Sequence, residues 1–214
     1  MTTILLTGFE PFGGDATNPS WEAVKRVADA WDGPEDLHIA ELPVIFHVAG
    51  DRLRDLMREY QPDLVIATGL AGGRPQVTPE RIAINVDDAR IPDNAGNDPI
   101  DAAIAEDGPA AYFSTLPIKA AVAAIREQGI PAAVSNSAGT YLCNHIFYAI
   151  MHEQAQQYPG ARGGFVHIPY SPEMVADRPQ PSLALDLTAK AIATIIRTSL
   201  VTSGDLALAG GAIS

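Results

Sequence analysis

Short β-rich apolar runs alternate with amphipathic helical patterns along the whole chain, and this alternation limits the fold more than any other feature of the sequence. The candidate strands are Thr3–Thr7, Leu37–Leu42, Asp63–Thr68, Glu80–Val86, Ala132–Ser135 and Gly164–Ile168. Helices fit between them. Trp21, Val24 and Val27 recur at helical spacing behind Asn18-Pro19-Ser20, and Ser20 can cap the free amides of a helix running from Ser20 to Trp31. Val48, Leu53, Leu56, Met57 and Tyr60 form a second apolar stripe, ended by Pro62. A third helix is predicted over Leu116–Gln128, where Gly129 and Pro131 act as stop signals; a fourth over Thr140–Gln157; and a last over Leu183–Leu200. The pattern fails between Ala89 and Ala110, where prolines, glycines and asparagines predict an irregular loop over 89–110, of the kind that serves binding sites. The expected fold is α/β: a single-domain open, twisted, mostly parallel sheet with helices on both faces, an α/β/α sandwich over 1–214.

Composition narrows the function. Of the 214 residues 47% are hydrophobic, enough for a sizeable core. Lys+Arg number 14 and Asp+Glu 26, a formal charge of −12 that opposes nucleic acid and anionic membranes as partners. A single cysteine excludes an internal disulfide and a multi-cysteine zinc site. The N-terminal run Thr3–Leu6 lacks a basic lead-in and breaks at Gly8, so no signal peptide is expected. The apolar stretch Ser182–Ser203 carries Asp186, Lys190 and Arg197 and falls short of a membrane span. A cytoplasmic protein without cofactor or metal is the expectation.

Two glycine-rich loops follow strands, the position at which open α/β sheets bind ligands. In the first, Gly8-Phe9-Glu10-Pro11-Phe12-Gly13-Gly14, the Lys-Ser/Thr pair of a phosphate loop is missing and Asp15 would repel phosphate. Phe9 and Phe12 either tuck into the core or form aromatic walls around a small flat ligand. In the second loop, Gly69-Leu70-Ala71-Gly72-Gly73-Arg74, Arg74 could bind an anion, but on its own it reads as structural or solvent-facing.

Cys143 lies near a predicted helix start, where unpaired amides and the helix dipole favour a thiolate, although a free cysteine is most often a small core residue. His145 is a weak base for it, because residues two apart on a helix face different ways. His167, by contrast, ends the strand Gly164–Ile168 at the sheet's carboxyl edge and suits a general base and acid. His38, His47 and His152 read as structural. A carboxylate should orient the imidazole, and position alone leaves Glu10, Glu80, Asp87 and Asp88 open.

Several motifs in order resemble one family, the pyroglutamyl peptidase I cysteine peptidases. They are Leu6-Thr7-Gly8-Phe9-Glu10-Pro11-Phe12-Gly13-Gly14, Asn18-Pro19-Ser20, Gly72-Gly73-Arg74, Glu80-Arg81-Ile82-Ala83-Ile84-Asn85, Ser135 through Asn144, and Phe165-Val166-His167-Ile168-Pro169. The resemblance implies an exopeptidase that removes N-terminal pyroglutamate from peptides through a thioester. It makes Glu80 the orienting acid, Cys143 the nucleophile and His167 the base and acid. It also implies that Phe9 and Phe12 sandwich the lactam, that backbone near Leu70 bonds its amide, that Arg90 steadies substrate or oxyanion, and that the chain forms a homodimer or homotetramer. Leu70 departs from the glutamine that many members carry there. The rival readings are a binding module with an inert Cys143 and another α/β enzyme such as a nucleoside phosphorylase.

Overall fold

A computed structural model describes residues 1–211; the end of the expected domain, 212–214, lies outside the described residues. Its centre is a five-stranded sheet of β1 (Thr3–Phe9), β2 (Asp36–Leu42), β3 (Leu64–Leu70), β4 (Thr78–Pro79) and β7 (Arg162–Ile168), in the order β2-β1-β3-β7-β4. β1, β2, β3 and β7 run parallel, and the short β4 pairs antiparallel with β7. β5 (Ile82–Ile84) and β6 (Ala111–Phe113) form a separate two-stranded ribbon.

Strand periodicity assigns the two faces. Ile4 and Leu6, Leu64 and Ile66, and Val166 and Ile168 point into one core with the apolar faces of α1 (Pro19–Asp29), α3 (Ile118–Glu127) and α5 (Leu185–Val201). Leu5, Val65, Ala67 and Phe165 point into the other, against α2 (Val48–Tyr60) and α4 (Leu142–Gln157). The same parity turns His167, two residues after Phe165, towards the α4 face. Gly8 lets α1 approach β1, since a Cβ there would stand 2.7 Å from the Trp21 backbone.

Three expectations need correction. The strand Glu80–Val86 is divided: β4 ends at Pro79, the buried Glu80 still donates its amide to the Phe165 carbonyl of β7 at 2.9 Å, and β5 belongs to the other ribbon. The strand Ala132–Ser135 is reduced to isolated bridges, Val77 with Ala132 and Glu80 with Ser135, because Pro79 stands between them and has no N–H to continue the ladder, although the Ala133 and Ser135 amides donate to the Val77 and Pro79 carbonyls at 3.0 Å. Ser20 does not cap α1. Asn18 does, its side chain accepting from the Ser20 amide at 3.1 Å, while the Ser20 hydroxyl accepts from the Phe9 amide at 3.0 Å and anchors the first loop. The loop over 89–110 is irregular as expected, but it is firmly tied. Buried Asp93 accepts from the amides of Phe46, Ala95 and Asn97, each at 2.8 Å, and Asn94 donates to Glu10 Oε1 at 2.9 Å.

Candidate active site

Strand ends and one helix start converge on a cavity of about 740 Å³ at the carboxyl edge of the parallel strands. Its lining includes Phe9 from the end of β1, Leu70 from the end of β3, His167 from β7, Cys143 from α4, Arg90 from the irregular loop, and Phe12.

His167 is buried. Its Nδ1 lies 2.7 Å from Glu80 Oε1, and Cys143 acts on the same ring electrostatically. Burial works against a charge on this ring, but the Cys143 sulphur and the Glu80 carboxylate outweigh it and raise the pKa to about 9. The register explains the meeting. Gly69 pairs with His167 across β3 and β7, and a Cβ at Gly69 would stand 2.9 Å from Cys143 Sγ, so the missing side chain leaves the space the thiol occupies.

Of the four carboxylates that position left open, only Glu80 reaches His167. Fully buried, it also accepts from Arg74 Nη1 at 2.8 Å. Asp87 pairs with His145 Nδ1 at 2.8 Å, which gives that buried histidine a structural partner. Glu10 accepts from the Val44 amide at 2.8 Å, and the Asp88 amide donates to the Thr140 carbonyl at 2.8 Å. His38 stacks on Tyr60, and His152 lies 3.0 Å from the Tyr112 hydroxyl. His47 packs edge-on against His145.

Cys143 is the second residue of α4, whose first turn has no acidic residue and whose N-cap, Tyr141, makes no side-chain capping bond. The leading amides are thus free for an anion. Next to Cys143, the buried Asn144 side chain accepts from the Ile84 amide at 2.9 Å and donates to the Ile84 and Val86 carbonyls, fixing the helix start to the β5 segment.

The two phenylalanines divide their work. Phe9 is buried against Phe165 with ring centroids 6.4 Å apart, so it tucks into the core while its edge borders the cavity. Phe12 is partly exposed and meets the Tyr141 ring at 5.6 Å. Tyr141, a lining aromatic that sequence reasoning missed, carried no signal of its own, since the predicted helix began at Thr140 and took it in, whereas α4 begins one residue later than Tyr141. Arg74 contacts Glu80, in line with the structural role expected for it. Among the described residues, no group of three or more His, Cys, Asp or Glu side chains could hold a metal ion.

The sequence model of the pyroglutamyl peptidase family matches residues 2–201. The chain belongs to the pyroglutamyl peptidase family. A pyrrolidone-carboxylate peptidase of Clavibacter michiganensis subsp. michiganensis is 54% identical over 213 residues, covering 100% of both chains. One from Streptomyces coelicolor is 57% identical over 183 residues, with 86% of this chain and 85% of that protein covered. Among solved structures, pyroglutamyl peptidase I of Bacillus amyloliquefaciens superposes with a TM-score of 0.94 at 48% identity, covering 97% of this chain and 99% of that one. A variant pyrrolidone carboxyl peptidase of Pyrococcus furiosus gives 0.90 at 40% identity, with 93% and 98% covered. This peptidase therefore shares its α/β fold with enzymes of the same family. No helix among its described residues is long and apolar enough to cross a membrane.

Proposed function

We propose that this peptidase hydrolyses the N-terminal pyroglutamyl residue from peptides, with Cys143 as nucleophile, His167 as acid and base, and Glu80 orienting the imidazole. The observation that carries the reading is the continuous chain from buried Glu80 through His167 to Cys143 at the mouth of an uncapped helix. The lactam has no charged amine, and the aromatic lining of Phe9, Phe12 and Tyr141 suits a neutral flat ring. Backbone near Leu70 bonds its amide, and Arg90 at the rim steadies the substrate.

The Cys143 thiolate attacks the pyroglutamyl carbonyl carbon, and the oxyanion is held by amides at the α4 start. Collapse breaks the C–N bond as the His167 imidazolium gives its proton to the leaving amine, forming a thioester and a shortened peptide. Neutral His167 then takes a proton from water. The hydroxide so formed attacks the thioester, pyroglutamate leaves, and the thiolate and imidazolium are restored.

We place the enzyme in the cytoplasm, as one folding domain that assembles into a homodimer or homotetramer; light scattering on the purified protein checks the assembly. Turnover of a pyroglutamyl-coumarin amide by wild type beside Cys143→Ala tests the chemistry. Release of coumarin by wild type alone is expected. Undiminished release by Cys143→Ala would remove the nucleophile assignment, and a wild type that ignores the substrate would end the peptidase reading.

A further inference from the structure

Arg74 lies in the turn after β3 and reaches the acid beside His167. Its Nη1 donates to Glu80 Oε1 at 2.8 Å, the same oxygen that faces His167 Nδ1 at 2.7 Å. Nη1 also donates to Thr78 Oγ1 at 2.8 Å, and Nη2 to the Ser137 carbonyl at 3.3 Å. One guanidinium thus joins β4, Glu80 and the loop that leads into α4. Glu80 is 0% exposed, and its Oε2 has no partner. A buried carboxylate in this position needs a cation beside it.

The two neighbours differ in how constantly they supply that charge. His167 is a cation only while protonated, and a general acid that has protonated its leaving group is neutral. A guanidinium does not lose its proton. When the imidazole is neutral, Arg74 is the remaining positive charge on Glu80. The groups that face the His167 ring are Glu80 from the segment after β4 and Cys143 from α4, with Arg74 acting through Glu80. Asp15, Asp88, Arg90, Tyr141, Tyr170 and Arg178 are the other ionisable residues around the cavity.

We propose that Arg74 is a positioning residue for the reaction, holding the Glu80 carboxylate aimed at His167 through the steps in which the imidazole carries no charge. This rests on the peptidase reading given above.

The test compares wild type, Arg74→Met and Arg74→Lys for coumarin release across pH, and for iodoacetamide alkylation of Cys143, which needs no peptide substrate. Arg74→Met is expected to lower kcat about tenfold or more while KM changes less than about threefold. Its alkaline limb of kcat/KM moves to higher pH, because Glu80 then has only the imidazolium as counter-charge and the pair keeps its proton longer. The alkylation profile moves the same way, since a positive charge has been removed. Arg74→Lys, with charge kept and fork lost, recovers most of kcat and leaves the limb in place.

Unchanged kcat and limb in a folded Arg74→Met protein would overturn the proposal, as would a limb moved to lower pH. A raised KM at constant kcat would make Arg74 a substrate contact instead. If Arg74→Met does not fold, a displaced limb in Arg74→Lys overturns the proposal in its place. Failure of wild type to release coumarin ends the peptidase reading alone, and the alkylation comparison still decides the role of Arg74.

Discussion

At His167 a single residue's environment sets a pH dependence. Burial disfavours the imidazolium, but Cys143 and Glu80 prevail and raise the pKa to about 9. The ring therefore stays protonated through neutrality and becomes neutral as pH climbs through that value. Turnover is expected to fall along this alkaline limb, because the leaving amine no longer receives a proton; a kcat/KM profile that already declined near an ordinary histidine pKa would contradict the pairing. Gly69 supplies a second expectation. A Cβ there would stand 2.8 Å from Phe165 Cζ and 2.9 Å from Cys143 Sγ, so Gly69→Ala overpacks the site. It should cost about 1–3 kcal/mol and slow alkylation of Cys143, read by thermal melting and iodoacetamide kinetics. Cys143 and His167 were legible as candidates because each breaks the pattern around it, one thiol in the whole chain and one imidazole in an apolar strand. The choice of Glu80 came from family motifs, since residue type and position alone served Asp87 and Asp88 equally well. What separates them is a contact, because Asp87 goes to His145.

At the scale of elements, the start of α4, which carries Cys143, is held in place through bonds between residues that lie far apart in sequence. Asn144 bonds the Ile84 amide and the Ile84 and Val86 carbonyls, and Thr140 Oγ1 donates to the Asp88 carbonyl at 2.8 Å. Asn144→Ala leaves part-buried backbone groups of Ile84 and Val86 without these partners and is expected to lower stability by about 1–3 kcal/mol in a urea titration. The irregular loop depends likewise on Asp93. Burial raises the pKa of this carboxyl, but hydrogen bonds from Asn97 and from the amides of Phe46 and Ala95 prevail and lower it. A lowered folded-state pKa gives stability that is present above the unfolded value and is lost as pH falls through the folded one. Protection of the 89–110 amides, corrected for intrinsic exchange, is therefore expected to fall only as pH drops below the ordinary carboxyl value of 3.8, and an Asp93→Asn protein should show that loss of protection already at neutral pH. The helices were readable from their stripes, and α2 begins and ends at the first and last residues of its stripe. Glu80–Val86 and Ala132–Ser135 misled because a run of β-forming residues does not say which partner strand is available. Here the partner of 132–135 is interrupted by Pro79, which has no N–H to give.

Across the whole molecule, a formal charge of −12 gives the surface little attraction for polyanions, and passage through a heparin column without retention at low salt is the expected behaviour. The sequence by itself determined the α/β class, the layers on both faces and the carboxyl edge where chemistry would gather, because periodicity and turn residues act over short stretches of chain. It also marked Phe9, Phe12, Cys143 and His167 through residue types out of keeping with their surroundings. Only the tertiary structure decided that Glu80 faces His167, that Asp87 belongs to His145, that Tyr141 lines the cavity and that Arg74 shares an oxygen with the imidazole. These are contacts between residues that lie apart in the chain and meet only when β3, β7 and α4 pack together. They depend on strand register and on the space left by Gly69, neither of which a local pattern records.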